Sequence, residues 1–408
     1  MESLFSMALR VNKKRQFLFV SKLIAKHLAV HPALALGTGS LLASLLMEKS
    51  GLSPIPQNRQ IVEMIHSGKA CLETSRKSLA HRAILPEKTV FIGMAETATG
   101  LGHAVFHHFD EAAYIHTTRE EIIDKTPAFV FEEEHSHATS HKVYAPVGML
   151  EDAETIVLID DEISTGNTLL NLITALDAQF PGKKYISLSI LDWRSNSQQQ
   201  KLEKMAKEQN LEIEVLSLQT GEFALHHSES PEEGGIRLLD GTGNRLPNPS
   251  AQYEPAEELL SSTGQRYLPF TGRFGLTSNG HLEIEEWAEK TAREMPASEK
   301  PLIIGIGENM YLPLRFALAL GGDALVQTTT RSPIFAADEI SYPIKEKVRF
   351  KLPDARDVDQ FLYNINEMDV DRIYLLAESV VEEVTWQPLI AYLEEKAPVE
   401  WLTLTGKL

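Results

Sequence analysis

Ile156 to Thr168 reads IVLIDDEISTGNT: four apolar residues, two adjacent carboxylates, then small and hydroxylated residues around a glycine. Neighbouring carboxylates at the end of a buried strand, here Asp160 and Asp161, can accept hydrogen bonds from a vicinal diol. Ser164, Thr165, Gly166, Asn167 and Thr168 offer hydroxyls and unpaired backbone N–H groups at a helix N-terminus, which suits a phosphate monoester. Gly166 removes the side chain where backbone and phosphate must approach.

These residues need elements to hold them. The apolar run, the tight loop and the following LLNLITAL predict a buried strand, a turn and a helix. Residues 88–119 carry a second constellation. TVFIGMA predicts a buried strand, ETATG a loop, LGHAVFHHF a helix, and AAYIHTTR a strand ending at Arg119. Residues 120–150 lack clean periodicity and contain FEEEHSHATSHKVYAP, a polar stretch in which His135, His137 and His141 with Glu132, Glu133 and Glu134 also resemble metal-ligand spacing. Further on, KYISLSILDW, SNSQQQKLEKMAKEQN and LEIEVLSLQTG predict a strand, a polar helix and a strand, so a first domain ends near residue 220. Upstream, FLFV predicts a short strand. A helical SKLIAKHL would place Lys22, Lys26 and His27 on one basic face, either solvated or turned to a substrate. ALALGTGSLLASLLMEKSG predicts a Gly-containing turn and an apolar helix. GTGSLL is not a dinucleotide fingerprint, because Leu42 stands where the third glycine belongs.

The motif resembles that of the type I phosphoribosyltransferases, which bind phosphoribosyl pyrophosphate (PRPP): an apolar strand, two acidic residues, two further positions, then a Thr/Ser-Gly loop ending in Thr. The order of elements from residue 88 onward matches that family as well. The resemblance implies an α/β fold with a parallel sheet over residues 1–220. It implies that Asp160 and Asp161 hold the ribose hydroxyls and meet Mg²⁺ directly or through water, and that Ser164 to Thr168 cradle the 5′-phosphate. Glu96, Thr97, Ala98 and Thr99 fall at the pyrophosphate loop. Arg119, at the end of the next strand, would meet the departing pyrophosphate or be an ordinary surface residue. The 120–150 interval would be a closing loop, with His135, His137 or Lys142 in catalytic roles. Residues 1–87 would form the hood that selects the base.

Composition bounds the rest. The chain has 408 residues, enough for two or three domains. A net charge of −18 argues against broad nucleic-acid binding. Cys71 is the only cysteine, which rules out an intramolecular disulfide and fits a cytoplasmic protein; it is expected to be buried as a small apolar residue. No apolar run reaches membrane-spanning length, and MESLFSMALRVNKKRQ does not read as a signal peptide.

From 221 to 299 turn formers dominate, in HHSESPEEGG, DGTGNRLPNPS and SSTGQRYLPFTGRFGL. This predicts an extended connector with a few short elements, in which Arg273 is more suited to a structural role than to ligand binding. Residues 300–408 predict a second α/β domain. IIGIGENMYLPLRFALALGGDALVQTTTR lies without a gap on FIGMAETATGLGHAVFHHFDEAAYIHTTR. Glu308 falls on Glu96, and Thr329, Thr330 and Arg331 on Thr117, Thr118 and Arg119. RIYLLAES then matches IVLIDDE, with Ala377 for Asp160 and Glu378 for Asp161, and no STGNT follows. This predicts a degenerate copy of the first domain that has lost its phosphate loop. TTTRSPIF, GENMYLP and FLYNI also resemble the TRSP domain, named for its Thr-Arg-Ser-Pro motif, that follows a phosphoribosyltransferase domain in bacterial tellurite-resistance and stress gene clusters. Thr330, Arg331 and Ser332 are the anion-binding candidates there, unless they only cap a turn at a domain interface.

The resulting expectation is a Mg²⁺-dependent phosphoribosyltransferase that joins PRPP to a nitrogenous base, purine, orotate or other, in making a nucleotide-like stress metabolite. A homodimer or an internal pseudo-dimer is expected. The competing readings are a PRPP-binding regulator and a PRPP-making pyrophosphokinase, the latter without any clear ATP motif in the chain.

Overall fold

Apolar runs that suit buried strands alternate with helical runs twice along the chain, and each alternation closes into its own mostly parallel sheet. The computed structural model describes residues 4–10, 17–132, 140–222, 236–239, 250–251, 259–269, 271–352, 358–380 and 383–404. An antiparallel pair, β1 (Phe5–Leu9) and β2 (Phe17–Ser21), opens the chain. Helices α1 (Pro32–Lys49), α2 (Asn58–Ser67) and α3 (Leu72–Leu79) follow. The first unit then runs β3 (Thr89–Gly93), α4 (Ala98–Phe106), β4 (Ala113–His116), the antiparallel pair β5 (Phe129–Glu132) and β6 (Ser140–Val143), β7 (Thr155–Ile163), α5 (Asn167–Gln179), β8 (Lys184–Asp192), α6 (Asn196–Glu208) and β9 (Glu212–Thr220). The sheet order is β9-β8-β7-β3-β4, all parallel, with the short β10 (Leu276–Thr277) antiparallel on the β4 edge. All five residues of β3 are buried, as befits a parallel strand covered on both faces.

The second unit comprises α7 (Ser278–Glu294), β11 (Pro301–Gly305), α8 (Tyr311–Leu320), β12 (Leu325–Thr328), the antiparallel pair β13 (Lys347–Phe350) and β14 (Gln360–Tyr363), β15 (Arg372–Ala377), α9 (Gln387–Glu394) and β16 (Val399–Thr403). Its sheet order is β16-β15-β11-β12, with Ser250–Ala251 pairing parallel on the β16 edge. Laid on the first unit, this is the order β8-β7-β3-β4, with an antiparallel pair at the same place in the chain. Register confirms the alignment: Gly93 faces Ile159 and Gly305 faces Leu376, so Asp160 and Asp161 correspond to Ala377 and Glu378.

The units exchange segments. The stretch before α7 lies on the first sheet: β10 pairs with β4, and His116 N–H donates to the Gly272 carbonyl at 3.0 Å. The stretch before α1 lies on the second: Val30 bridges Val326, and Thr328 N–H donates to the Ala25 carbonyl at 2.7 Å. The largest hydrophobic cluster draws on both units, from Leu36 and Leu42 of α1 and Phe106 of α4 to Leu314 and Phe316 of α8.

Three expectations need correction. Residues 22–28 are bends and turns, not a helix, and Lys26 and His27 are buried. The segment pairs with a distant strand, and that tertiary pairing overrides its helical pattern. The glycines of α1 make no turn; the helix is continuous, and Gly39 is where α4 comes closest. Cys71 is exposed, at the N-cap of α3. Within 221–299 the longest described element is α7, a 17-residue helix with a buried face; the turn-rich composition around it hides it. No helix among the described residues is long and apolar enough to cross a membrane.

Candidate active site

The first five residues of β7 are buried; Asp160, Asp161 and Glu162 at its far end are half-buried. The chain then turns through Ser164, Thr165 and Gly166 into α5. Gly166 is the N-cap of α5 at φ +82°, a left-handed conformation that favours glycine. Behind it, buried Arg194 forks onto Asp192 at 2.7 and 2.9 Å, and a Cβ at position 166 would come within 3.1 Å of the Arg194 chain.

Opposite stands the loop between β3 and α4. The Ala95–Glu96 peptide is cis, and Ala95 N–H donates to Thr117 Oγ1 at 2.8 Å. Thr117 in turn meets buried His141 at 3.1 Å. The Glu96 carboxylate is buried. It accepts from Thr330 Oγ1 at 2.6 Å and pairs with Lys26 Nζ at 3.3 Å. Burial opposes its ionisation, but the nearby charges of Lys26, Arg119 and Arg331 prevail, and its pKa lies below the usual carboxylate value. Lys26 also donates to Thr97 Oγ1 at 2.8 Å.

A cavity of about 460 Å³ lies between these walls. Asp160, Asp161, Ser164, Thr165, Gly166 and Thr168 line one side, Glu96, Thr97 and Arg119 another. Lys26 and Arg10 reach it from the N-terminal segment, and Arg331 and Ser332 from the second unit. Arg331 is held by Glu120 at 3.0 Å. The cations gather toward Glu96 and Thr97, and the β7 carboxylates stand beside the hydroxyl-rich loop. Such a cavity can hold a phosphate monoester at the α5 N-terminus, where backbone N–H groups lack helical partners. It can take a more highly charged anion among the cations. The oxygen donors of Asp160 and Asp161 fit a hard cation such as Mg²⁺.

Other expected residues stand elsewhere. Asn167, Ala98, Thr99 and Thr330 do not line the cavity. Thr330 positions Glu96, and Thr99 donates to the Glu308 carbonyl at 3.0 Å. His135 and His137 lie outside the described residues, as do Glu133 and Glu134. Arg10 and Glu162 line the cavity without having been singled out in the sequence. Arg10 is placed by the β1–β2 pair, which packs on Ile334 and Tyr363, a contact between residues too distant in the chain for any local pattern to show.

The equivalent place in the second unit is filled. Arg273 occupies the position of Lys26, one residue after the carbonyl that meets the edge strand. Its guanidinium reaches Glu308 at 3.0 Å and Glu378 at 2.9 and 3.0 Å, over the Tyr267 ring. Glu308 accepts from Thr118 Oγ1 at 2.7 Å and Arg119 N–H at 3.0 Å. Thus each glutamate is held by a threonine of the opposite unit. About 30 Å³ remains open there.

A family model described as phosphoribosyl transferase matches residues 4–222, and one described as the TRSP domain C-terminal to it matches 270–393. A search of curated proteins finds no match. Among solved structures, adenine phosphoribosyltransferase from Trypanosoma brucei is 19% identical over 40% of this chain and 66%, just under two thirds, of that one, with a TM-score of 0.25. The enzymes of that name from Giardia lamblia and Saccharomyces cerevisiae are 20% and 10% identical. They cover 41% and 53% of this chain and 86% and 96% of their own, with TM-scores of 0.23 and 0.26.

Proposed function

This chain belongs to the phosphoribosyl transferase family, with a TRSP domain C-terminal to the transferase part, and from that premise we propose that it transfers the phosphoribosyl group of PRPP to a nitrogenous base. The observation that carries the reading is the single cavity that brings the Ser164–Thr168 loop, the Asp160–Asp161 pair and the cations Lys26, Arg119 and Arg331 together. The loop hydroxyls and the α5 N-terminus hold the 5′-phosphate. Asp160 and Asp161 accept hydrogen bonds from the ribose hydroxyls and would hold Mg²⁺. When bound, that ion would carry part of the pyrophosphate charge. Lys26, Arg119 and Arg331 stabilise the leaving pyrophosphate as the bond from its oxygen to the anomeric carbon breaks and a bond to the base nitrogen forms. Positioning and charge stabilisation are the protein's contribution to a cation-like transition state. The product is a nucleotide-like metabolite, and its place in a stress response rests on the TRSP resemblance.

The test is pyrophosphate release from Mg²⁺–PRPP against a panel of purine and pyrimidine bases and orotate, with the Asp160→Asn, Asp161→Asn double variant alongside. Base-dependent release that the double variant loses is the expected result. PRPP binding without release for any base would move the reading to a PRPP sensor, and failure to bind PRPP would end it.

A further inference from the structure

Away from the cavity, where α4 of the first unit meets α7 leading into the second, the structure gathers a set of electron-pair donors. His281 and Glu285 are one turn apart on α7, so they share a face; His107 is the C-cap of α4. One ligand atom from each lies within 4.8 Å of the other two. His107 Nδ1 and Glu285 Oε1 approach to 2.8 Å. Yet His107 Nδ1, His281 Nδ1 and Glu285 Oε1 are all buried and make no well-formed hydrogen bond. Buried polar atoms in that state are rare and point to a missing partner.

The ring protons are fixed by their surroundings. His107 Nε2 faces the Leu79 carbonyl at 2.7 Å, so the proton of the neutral ring sits there and Nδ1 carries a lone pair. His103 Nε2 faces the Thr271 carbonyl at 3.1 Å. Its Nδ1 therefore accepts from His281 Nε2 at 3.2 Å, which leaves a lone pair on His281 Nδ1. Arg315 Nη2, 3.0 Å from Glu285 Oε1, offsets the carboxylate charge from one side. It brings no proton to either imidazole.

We propose that His107, His281 and Glu285 bind a borderline transition-metal dication, zinc foremost. Two imidazoles and a carboxylate form a donor set that Zn²⁺ takes at about 2.0–2.2 Å, for which His107 Nδ1 and Glu285 Oε1, 2.8 Å apart, need to part by roughly half an ångström. Mg²⁺ prefers an all-oxygen shell and is not the ion for this site. The Leu79 carbonyl and the His103–Thr271 chain are the outer partners that metal-bound imidazoles commonly use to fix their tautomers. His107 and Glu285 also line a groove of about 340 Å³ together with Arg76 and Arg315. The ion ties α4 to α7, and so one unit to the other.

The test uses the full-length protein stripped of metal by chelation and titrated with Co²⁺, then with Zn²⁺. Expected are one equivalent of Co²⁺ with the visible absorption of a tetrahedral site, its displacement by Zn²⁺, and a higher Tm with Zn²⁺ present. Glu285→Gln keeps side-chain size and should weaken Co²⁺ binding at least roughly tenfold, while Asp160→Asn, Asp161→Asn should leave the tetrahedral Co²⁺ absorption unchanged. Absence of tetrahedral Co²⁺ at micromolar metal in the unaltered protein would overturn the proposal. So would a Co²⁺ spectrum that both Glu285→Gln and His107→Gln leave intact.

Discussion

Glu308 stands in the second unit where Glu96 stands in the first, and the two carboxylates have different tasks. Glu96 faces an open cavity with a lysine beside it. Glu308 is clamped by an arginine that also grips Glu378. Burial alone would raise the Glu308 pKa, but the Arg273 guanidinium, with His116 and the Thr118 hydroxyl, holds it down at about 2. A carboxyl depressed on folding stabilises the native state in full above the ordinary carboxylate range and loses that contribution as pH falls. Stability should therefore decline as pH drops from roughly 5 toward 2. Glu308→Gln should cost about 3 kcal/mol at neutral pH, because it takes away one partner of a buried charge, and should flatten that decline; urea melts of both proteins across this pH range measure both effects. The alignment of Glu96 with Glu308 was legible in the sequence because both precede a helix at matched distance from a TTR triplet. Their exchange of threonine partners was not, since nothing in a linear repeat says that its halves face each other. Asp160, Asp161 and Ser164 to Thr168 were legible because one strand and one turn place them all. Lys26 reaches the cavity only because Ala25 and Val30 pair with β12, some three hundred residues away.

Among the elements, α1 shows how packing reassigns a glycine. Gly37 and Gly39 sit inside an 18-residue helix, Gly37 against Ile61 of α2 and Gly39 on the face toward α4, where there is no room for a side chain. A Cβ at Gly39 would lie 2.8 Å from the Ala104 carbonyl carbon. Gly39→Ala should destabilise the protein by roughly 1–3 kcal/mol through overpacking, despite the better helix propensity of alanine; the shift of the urea midpoint at constant slope reads this. The glycines looked like a turn because local rules give them that meaning, and only the approach of α4 gives them the other. The strand–helix–strand units were legible for the opposite reason. A strand buried on both faces reads as a largely apolar run, so β3, the first half of β7, β8 and β11 announce themselves without tertiary context.

For the molecule as a whole, the shared cluster that runs from α1 to α8 and the crossed pairings of Val30 and Leu276 make the two units one cooperative structure. Unfolding followed by far-UV circular dichroism and by tryptophan fluorescence should give a single coincident transition. The fluorescence samples both units, from Trp193 in the first and Trp386 and Trp401 in the second. Two separated transitions would contradict this. Residues 1–222 made alone should be insoluble or unfolded, since removal of α7 and α8 takes His281 from Phe106 and Leu314 from the Gly100 face of α4, and removal of β12 leaves the Ala25–Val30 segment without its strand. The placement of Arg331 and Ser332 in the wall of the first cavity has a further meaning in terms of mass action. A pocket completed by a second chain comes apart when the protein is diluted below the dimer's dissociation constant. Here the completing arginine is tethered to the same backbone, so the pocket's assembly is a first-order event, and its occupancy per molecule is the same whether the cell holds ten copies or ten thousand, in the order-of-magnitude sense that tethering replaces concentration.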